Sequence, residues 1–287
     1  MRKNLANVIS RSSLEKFQHA PLPRSYSDYV GRQAFLLLLT AQGLCAFALI
    51  TVGVILKKLG TAHAVMQPRI RQEINRSGIA LLPMFFFVAL ALGFLVIGET
   101  VSALEKVGAT NYLGSTMVIV VVRELGPLLT AMLVLTRVGT ANVIELGTAR
   151  ALGEVESLEA LGIDPVHYLI MPRVIGMALG VFALTVYLIL GALASGYLFA
   201  FLVTDVSLGP GDYATQIIGA LAPLDFVLLT LKTIAFGFFI AVVTCYHGLA
   251  QPLRLEEISR VAVRAVTQGI IVCVLIDAVF IVIYLLT

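Results

Sequence analysis

Four ionisable residues stand where the sequence is otherwise apolar. Arg123 and Glu124 are neighbours in the run Met117–Val138 and read as an ion pair; Lys232 lies within 225–247, and Asp277 within 267–286. An ionised side chain at the centre of a bilayer costs about 2.5–3.5 kcal/mol even on insertion scales, so such residues pair or line a cavity. Pro127 follows Arg123 by four positions. It has no N–H, so the Arg123 carbonyl loses its helical partner and a kink is expected beside the charged pair. The chain then leaves this run at Arg137-Val138-Gly139 and enters a second polar group: Glu145, Arg150, Glu154, Glu156 and Glu159. Gly162-Ile163-Asp164-Pro165 closes it. Charge carried into an apolar run and then laid along a polar segment points to coupling between two compartments.

Bond-making chemistry finds no comparable support. There is no G-x-x-x-x-G-K-[ST] phosphate loop, no H-E-x-x-H and no G-x-S-x-G. His63, His167 and His247 show no ligand spacing, and Cys45, Cys245 and Cys273 lie in apolar runs at unrelated intervals. They read as buried hydrophobes rather than a metal site or disulfide framework. No metal, cofactor or nucleic-acid partner is expected, and any ATP would have to be bound by another chain.

The elements that position these residues follow from composition. A chain of 287 residues with 59% hydrophobic and 13% charged residues is a polytopic, all-α membrane protein. Residues 1–33 are basic, without an apolar region that would make a signal peptide. Residues 34–56 are long enough to span, but Lys and Arg flank both sides, so a re-entrant or interfacial elbow with a connector to residue 78 fits better than a crossing. Five spans follow within 79–287: 79–98, with Pro83 as a kink, then 117–138, 173–204, 225–247 and 267–286. The Lys/Arg bias of alternate loops puts the N-terminus and the segment 139–172 in the cytoplasm and Thr287 outside. Gly176-x-x-x-Gly180 and the patch Gly191, Ala192, Ala194, Ser195, Gly196 mark a face for close helix contact.

In this topology the four intramembrane charges lie at one depth, about 10–15 Å below the external surface at about 1.5 Å per residue. Two readings stay open, a structural clasp between helices and a polar gate beneath a lipid-accessible cavity. The stretch 142–162 reads as a surface helix broken near Gly153, because Leu152, Val155, Leu158 and Leu161 recur every three residues and drift around a 3.6-residue helix. Gly162 is placed to end it, with Asp164 capping the next helix and Pro165 in its first turn.

At Arg123-Glu124-Leu125-Gly126-Pro127, Arg137-Val138-Gly139, Glu145-Leu146-Gly147-Thr148 and Gly162-Ile163-Asp164-Pro165 the chain resembles the MlaE/YrbE family. Those are permease subunits of MCE-associated ABC lipid transporters. The likeness continues through Leu231-Lys232-Thr233, Tyr246-His247-Gly248, Ile258-Ser259-Arg260 and Leu275-Ile276-Asp277, covering about residues 72–286. It implies a homodimer of elbow-plus-five-span subunits in the bacterial inner membrane, a cytoplasmic ATPase docked between the second and third spans, and a periplasmic MCE-domain partner. Phospholipids or similar molecules are the implied cargo. The family's charged cluster falls on Arg123, Glu124, Lys232 and Asp277, and its coupling segment on Glu145, Arg150, Glu154, Glu156 and Glu159. Two local departures exist: Leu152-Gly153-Glu154 replaces the usual Thr-Glu-Gln, and Tyr246-His247-Gly248 the usual Tyr-Gln-Gly. Competing readings are an ion- or proton-coupled carrier built on the charged cluster, against which the missing inverted repeat argues, and a membrane scaffold, which leaves the buried charges unexplained.

Overall fold

In the computed structural model the described residues are 42–57, 63–108, 112–203, 209–249 and 255–286. Residues 1–33 and the first part of the expected elbow, 34–41, lie outside them. Among the described residues there is no strand. Five helices are long and apolar enough to cross a membrane: Met66–Val101, Leu113–Ala151, Val166–Phe199, Pro223–Leu249 and Ile258–Leu286, called here the first to fifth spans. A shorter apolar helix, Gln42–Lys57, precedes them. The all-α architecture of five spans and an N-terminal helix is therefore observed.

The short helix starts against the end of the fourth span. The Phe47 and Tyr246 rings meet edge to face with centroids 5.7 Å apart. By Arg69, in the connector helix His63–Ser77, the chain is at the start of the third span, where the guanidinium donates to the Tyr168 hydroxyl at 2.6 Å. Tyr246 and Tyr168 lie at the same end of the bundle, so Phe47 of the short helix and Arg69 of the connector helix both lie there.

The third span is the hub, and small residues bring the others to it. A Cβ on Gly176 would lie 2.6 Å from the Glu73 Cβ, and one on Gly237 would lie 2.5 Å from the Ala178 Cα. The backbones of the connector helix and of the fourth span thus touch the third span directly, the packing such residues permit in lipid. Ser77 Oγ donates to the Gly176 carbonyl at 2.8 Å and Ser195 Oγ to the Ala89 carbonyl at 3.1 Å, sealing the first span to the third. Phe85, Val134, Met177, Leu184 and Phe236 fill the core between.

The first span is broken by a short 3-10 turn, Ile79–Leu81, which begins four residues before Pro83, and Pro83 occupies the first turn of the helix Leu82–Leu92. The helix of the second span does not end with the apolar run at Arg137-Val138-Gly139. A π-helical turn, Leu135–Gly139, passes directly into the helix Thr140–Ala151. Asn142, Val143, Leu146 and Gly147 on that helix are buried, so this first half of the 139–172 segment is packed structure. Only Glu154–Ala160 is a surface helix. Gly153 (φ +78°) separates the two, and Gly162 (φ +76°) ends the second, conformations that favour glycine. Asp164 then caps the next helix, its Oδ1 accepting from the Val166 N–H at 3.1 Å.

Candidate functional site

The second span carries the charged pair, and its direction explains where the pair points. Cα–Cβ bonds tilt toward a helix N-terminus, which here is the Leu113 end. Arg123 does not pair with Glu124. Its long side chain reaches back toward that end, where Nε lies 2.9 Å from Asp225 Oδ1 and Nη2 donates to Asp225 Oδ2 at 3.2 Å. The guanidinium also lies 5.0 Å above the Tyr284 ring centroid. Asp225 is 3% exposed and caps the start of the fourth span, accepting from the Ala222 N–H at 2.9 Å.

Glu124 turns instead to Lys232. That ammonium is fully buried, at 0% exposure. It has three protons to place and three acceptors around it. It donates to the Arg123 carbonyl at 2.8 Å and to Glu124 Oε2 at 3.2 Å, and it lies 2.8 Å from Asp277 Oδ1. The Arg123 carbonyl is the one that Pro127 deprives of a helical partner. That carbonyl lies in a π-helical stretch, Val118–Leu125, and accepts from Lys232 instead. Lys232 and Asp277 are closed off, whereas the Glu124 side chain keeps 30% exposure and forms the open side of the cluster.

The four residues thus divide between two contact groups. Asp225 precedes Lys232 by seven residues, and Asp277 precedes Tyr284 by seven. Two helical turns, about 10 Å of Cα rise, separate Asp225 from Lys232 and Asp277 from Tyr284, so Arg123, Asp225 and Tyr284 are called here the outer tier and Lys232, Glu124 and Asp277 the inner tier. Asp225 was missed from sequence because it sits at the edge of its apolar run. Its spacing from Lys232, on one face of the helix, is the signal that locates it.

At the opposite end of the second span the five polar residues divide. Glu145 is exposed but held within the chain: Arg76 meets it through two contacts at 2.5 and 2.6 Å, and Arg173 reaches it at 3.2 Å. Arg173 also contacts Glu73, at 3.4 Å. Arg150 donates to the Leu249 carbonyl at the end of the fourth span and lies 4.0 Å from Glu156. Glu154, Glu156 and Glu159 are exposed, flanked by exposed Leu152, Leu161 and Ile163, while Val155 anchors the helix to the core. Among the described residues no group of His, Cys, Asp and Glu could hold a metal ion. Beyond the outer tier, the helix Pro210–Ala220 lies between the third and fourth spans. Its Tyr213 is buried, which pushes the phenol up to about 12 and keeps it neutral.

Comparison with known proteins places this architecture. Residues 70–283 match the family described as Permease MlaE. The chain is 27% identical over 192 residues to a probable ABC transporter permease protein of Rickettsia prowazekii, covering 67% of this chain and 73% of that one. It is 28% identical over 201 residues to the protein TRIGALACTOSYLDIACYLGLYCEROL 1, chloroplastic, of Arabidopsis thaliana, covering 70% of this chain and 57% of that one. A probable ABC transporter permease protein of Synechocystis is 28% identical over 164 residues, 57% of this chain and 62% of the relative. With five apolar helices of spanning length, the chain is a multi-pass membrane permease of the ABC-transporter kind, and it belongs to the MlaE permease family.

Proposed function

We propose that this chain is the permease subunit of an ATP-driven transporter that moves phospholipid or a similar lipid between the inner membrane and a periplasmic MCE-domain partner. It works as a homodimer, with residues 1–78 and the surface helix Glu154–Ala160 in the cytoplasm and Thr287 in the periplasm. A separate ATPase subunit docks on that helix. One observation carries the reading: a single helix, Leu113–Ala151, holds the buried cluster near one end and leads at the other into an exposed acidic helix. An ATPase engaging Glu154, Glu156 and Glu159 pulls on the helix whose Arg123 carbonyl and Glu124 carboxylate hold Lys232. Shifting that helix exposes acceptors for a polar headgroup beside apolar surface suited to acyl chains. The name of the plant relative contains trigalactosyldiacylglycerol, a membrane lipid, which supports a lipid cargo. An ion-coupled carrier would use the same cluster but would leave the acidic surface helix without a role.

The test is reversal of Glu154 and Glu156 to lysine in the complex purified with its ATPase. The expected outcome is release of the ATPase or hydrolysis uncoupled from lipid movement. Unchanged co-purification and unchanged lipid-stimulated hydrolysis would place docking elsewhere.

A further inference from the structure

The division of the five coupling-segment residues has its own consequence. Glu154, Glu156 and Glu159 face outward from the surface helix, whereas Glu145 and Arg150 are committed to partners within the chain. Those partners belong to different spans. Through Arg76 and Arg173, Glu145 is tied to the connector helix and to the start of the third span, with Glu73 completing the network. Arg150 is bound to the last carbonyl of the fourth span while lying against Glu156 of the surface helix. A carbonyl at a helix C-terminus lacks an intrahelical partner and attracts a cation. Arg150 therefore forms a polar bridge from the exposed helix to the span that carries Lys232.

We propose that Glu145 and Arg150 are positioning residues for transport and are not part of the ATPase-binding surface. Arg150 passes displacement of the surface helix to the fourth span, and Glu145 passes it to the connector helix and third span. The proposal rests on the docking reading above. Backbone contact makes the spans move as blocks: a Cβ on Gly248 would lie 2.7 Å from the Leu146 Cβ, and Gly176 and Gly237 are equally close to their neighbours. Blocks packed this tightly cannot absorb a push by local side-chain adjustment. Between the surface helix and these blocks the polar joints act beside Val155, the chain connection at Gly153 and the packing of Leu146 on Gly248.

The experiment uses the whole membrane complex with its ATPase, reconstituted in phospholipid vesicles containing a fluorescent phospholipid. It compares Glu145→Gln and Arg150→Gln with Glu154→Lys/Glu156→Lys. Both single variants should retain the ATPase and hydrolyse ATP as before, while lipid moved per ATP falls about fivefold, equivalent to about 1 kcal/mol. Glu145→Asp, which keeps the charge, should recover most of that ratio. An unchanged ratio would overturn the proposal. Loss of the ATPase in Glu145→Gln would put that residue on the docking surface, and loss of the assembled chain would make the network a structural brace; either result overturns it as well. The Glu154→Lys/Glu156→Lys arm keeps the two readings apart. If it retains the ATPase with normal transport, the docking reading has failed, whatever the single variants show.

Discussion

The two ends of the second span are both tied to neighbouring helices by charge, under opposite conditions. At the inner tier Lys232 has 0% side-chain exposure and Asp277 11%; at the other end Arg76 has 31% and Glu145 45%. Two unit charges 4 Å apart interact by about 1 kcal/mol in water and about 4 kcal/mol at the effective dielectric of a protein site. The same pairing chemistry therefore makes a fixed point inside the bundle and a yielding one at its edge. The buried cluster defines where the second, fourth and fifth spans meet. The edge network is more exposed and is held less tightly.

The largest effect should follow from Lys232→Met. It leaves Glu124, Asp277 and the Arg123 carbonyl without their common cation, and breaking a buried pair from one side costs about 3–5 kcal/mol. The expected outcome is a marked fall in thermal stability of the detergent-purified chain. Adding Asp277→Leu should be milder than the sum of the two single losses, because one orphaned carboxylate goes with its partner. Strict additivity would mean that Lys232 and Asp277 do not act together. Stability and transport falling in step would identify a clasp; transport lost at normal stability would identify a gate.

The outer tier should come second. Arg123 is 27% exposed at its side chain, so its bond to Asp225 is partly screened, and a hydrogen bond to a charged group contributes about 1.5–3 kcal/mol before that discount. Asp225→Asn should cost less than Lys232→Met in the same melting assay, yet more than any substitution at Glu145. If it equalled Lys232→Met, the two tiers would be one unit, and the separation by about two helical turns would have no energetic meaning.

How far the sequence shows all this depends on the residue. Arg123, Glu124, Lys232 and Asp277 are legible because charge inside an apolar run has few explanations. Gly153 and Gly162 are legible because glycine beside a failing helical period marks a turn. The continuity of the second span to Ala151 is not. Glu145 and Arg150 look like solvated surface until Arg76, Arg173 and the Leu249 carbonyl are brought to them, and those partners lie 69, 28 and 99 residues away. Pro127 is half legible: the orphaned carbonyl of Arg123 follows from covalent structure, but its new donor, 109 residues distant, follows only from the fold.

The smallest effect sharpens the comparison most. Arg76→Gln removes one of the two arginines on Glu145 and leaves Arg173 in place. Pairs with this much exposure contribute about 0–1 kcal/mol, so the melting temperature should barely move. Salt should act on the edge network in the same sense, since added ions screen exposed charges and leave buried ones largely untouched. Raising ionic strength should therefore lower lipid moved per ATP in the unaltered complex and do so much less in Arg76→Gln, where half of the network has already gone. The stability difference between the unaltered chain and Lys232→Met should stay constant across the same salt series. Equal salt sensitivity of transport in both chains would show that the edge network contributes nothing to the cycle, and the contrast between a fixed inner cluster and a yielding edge network would fail with it.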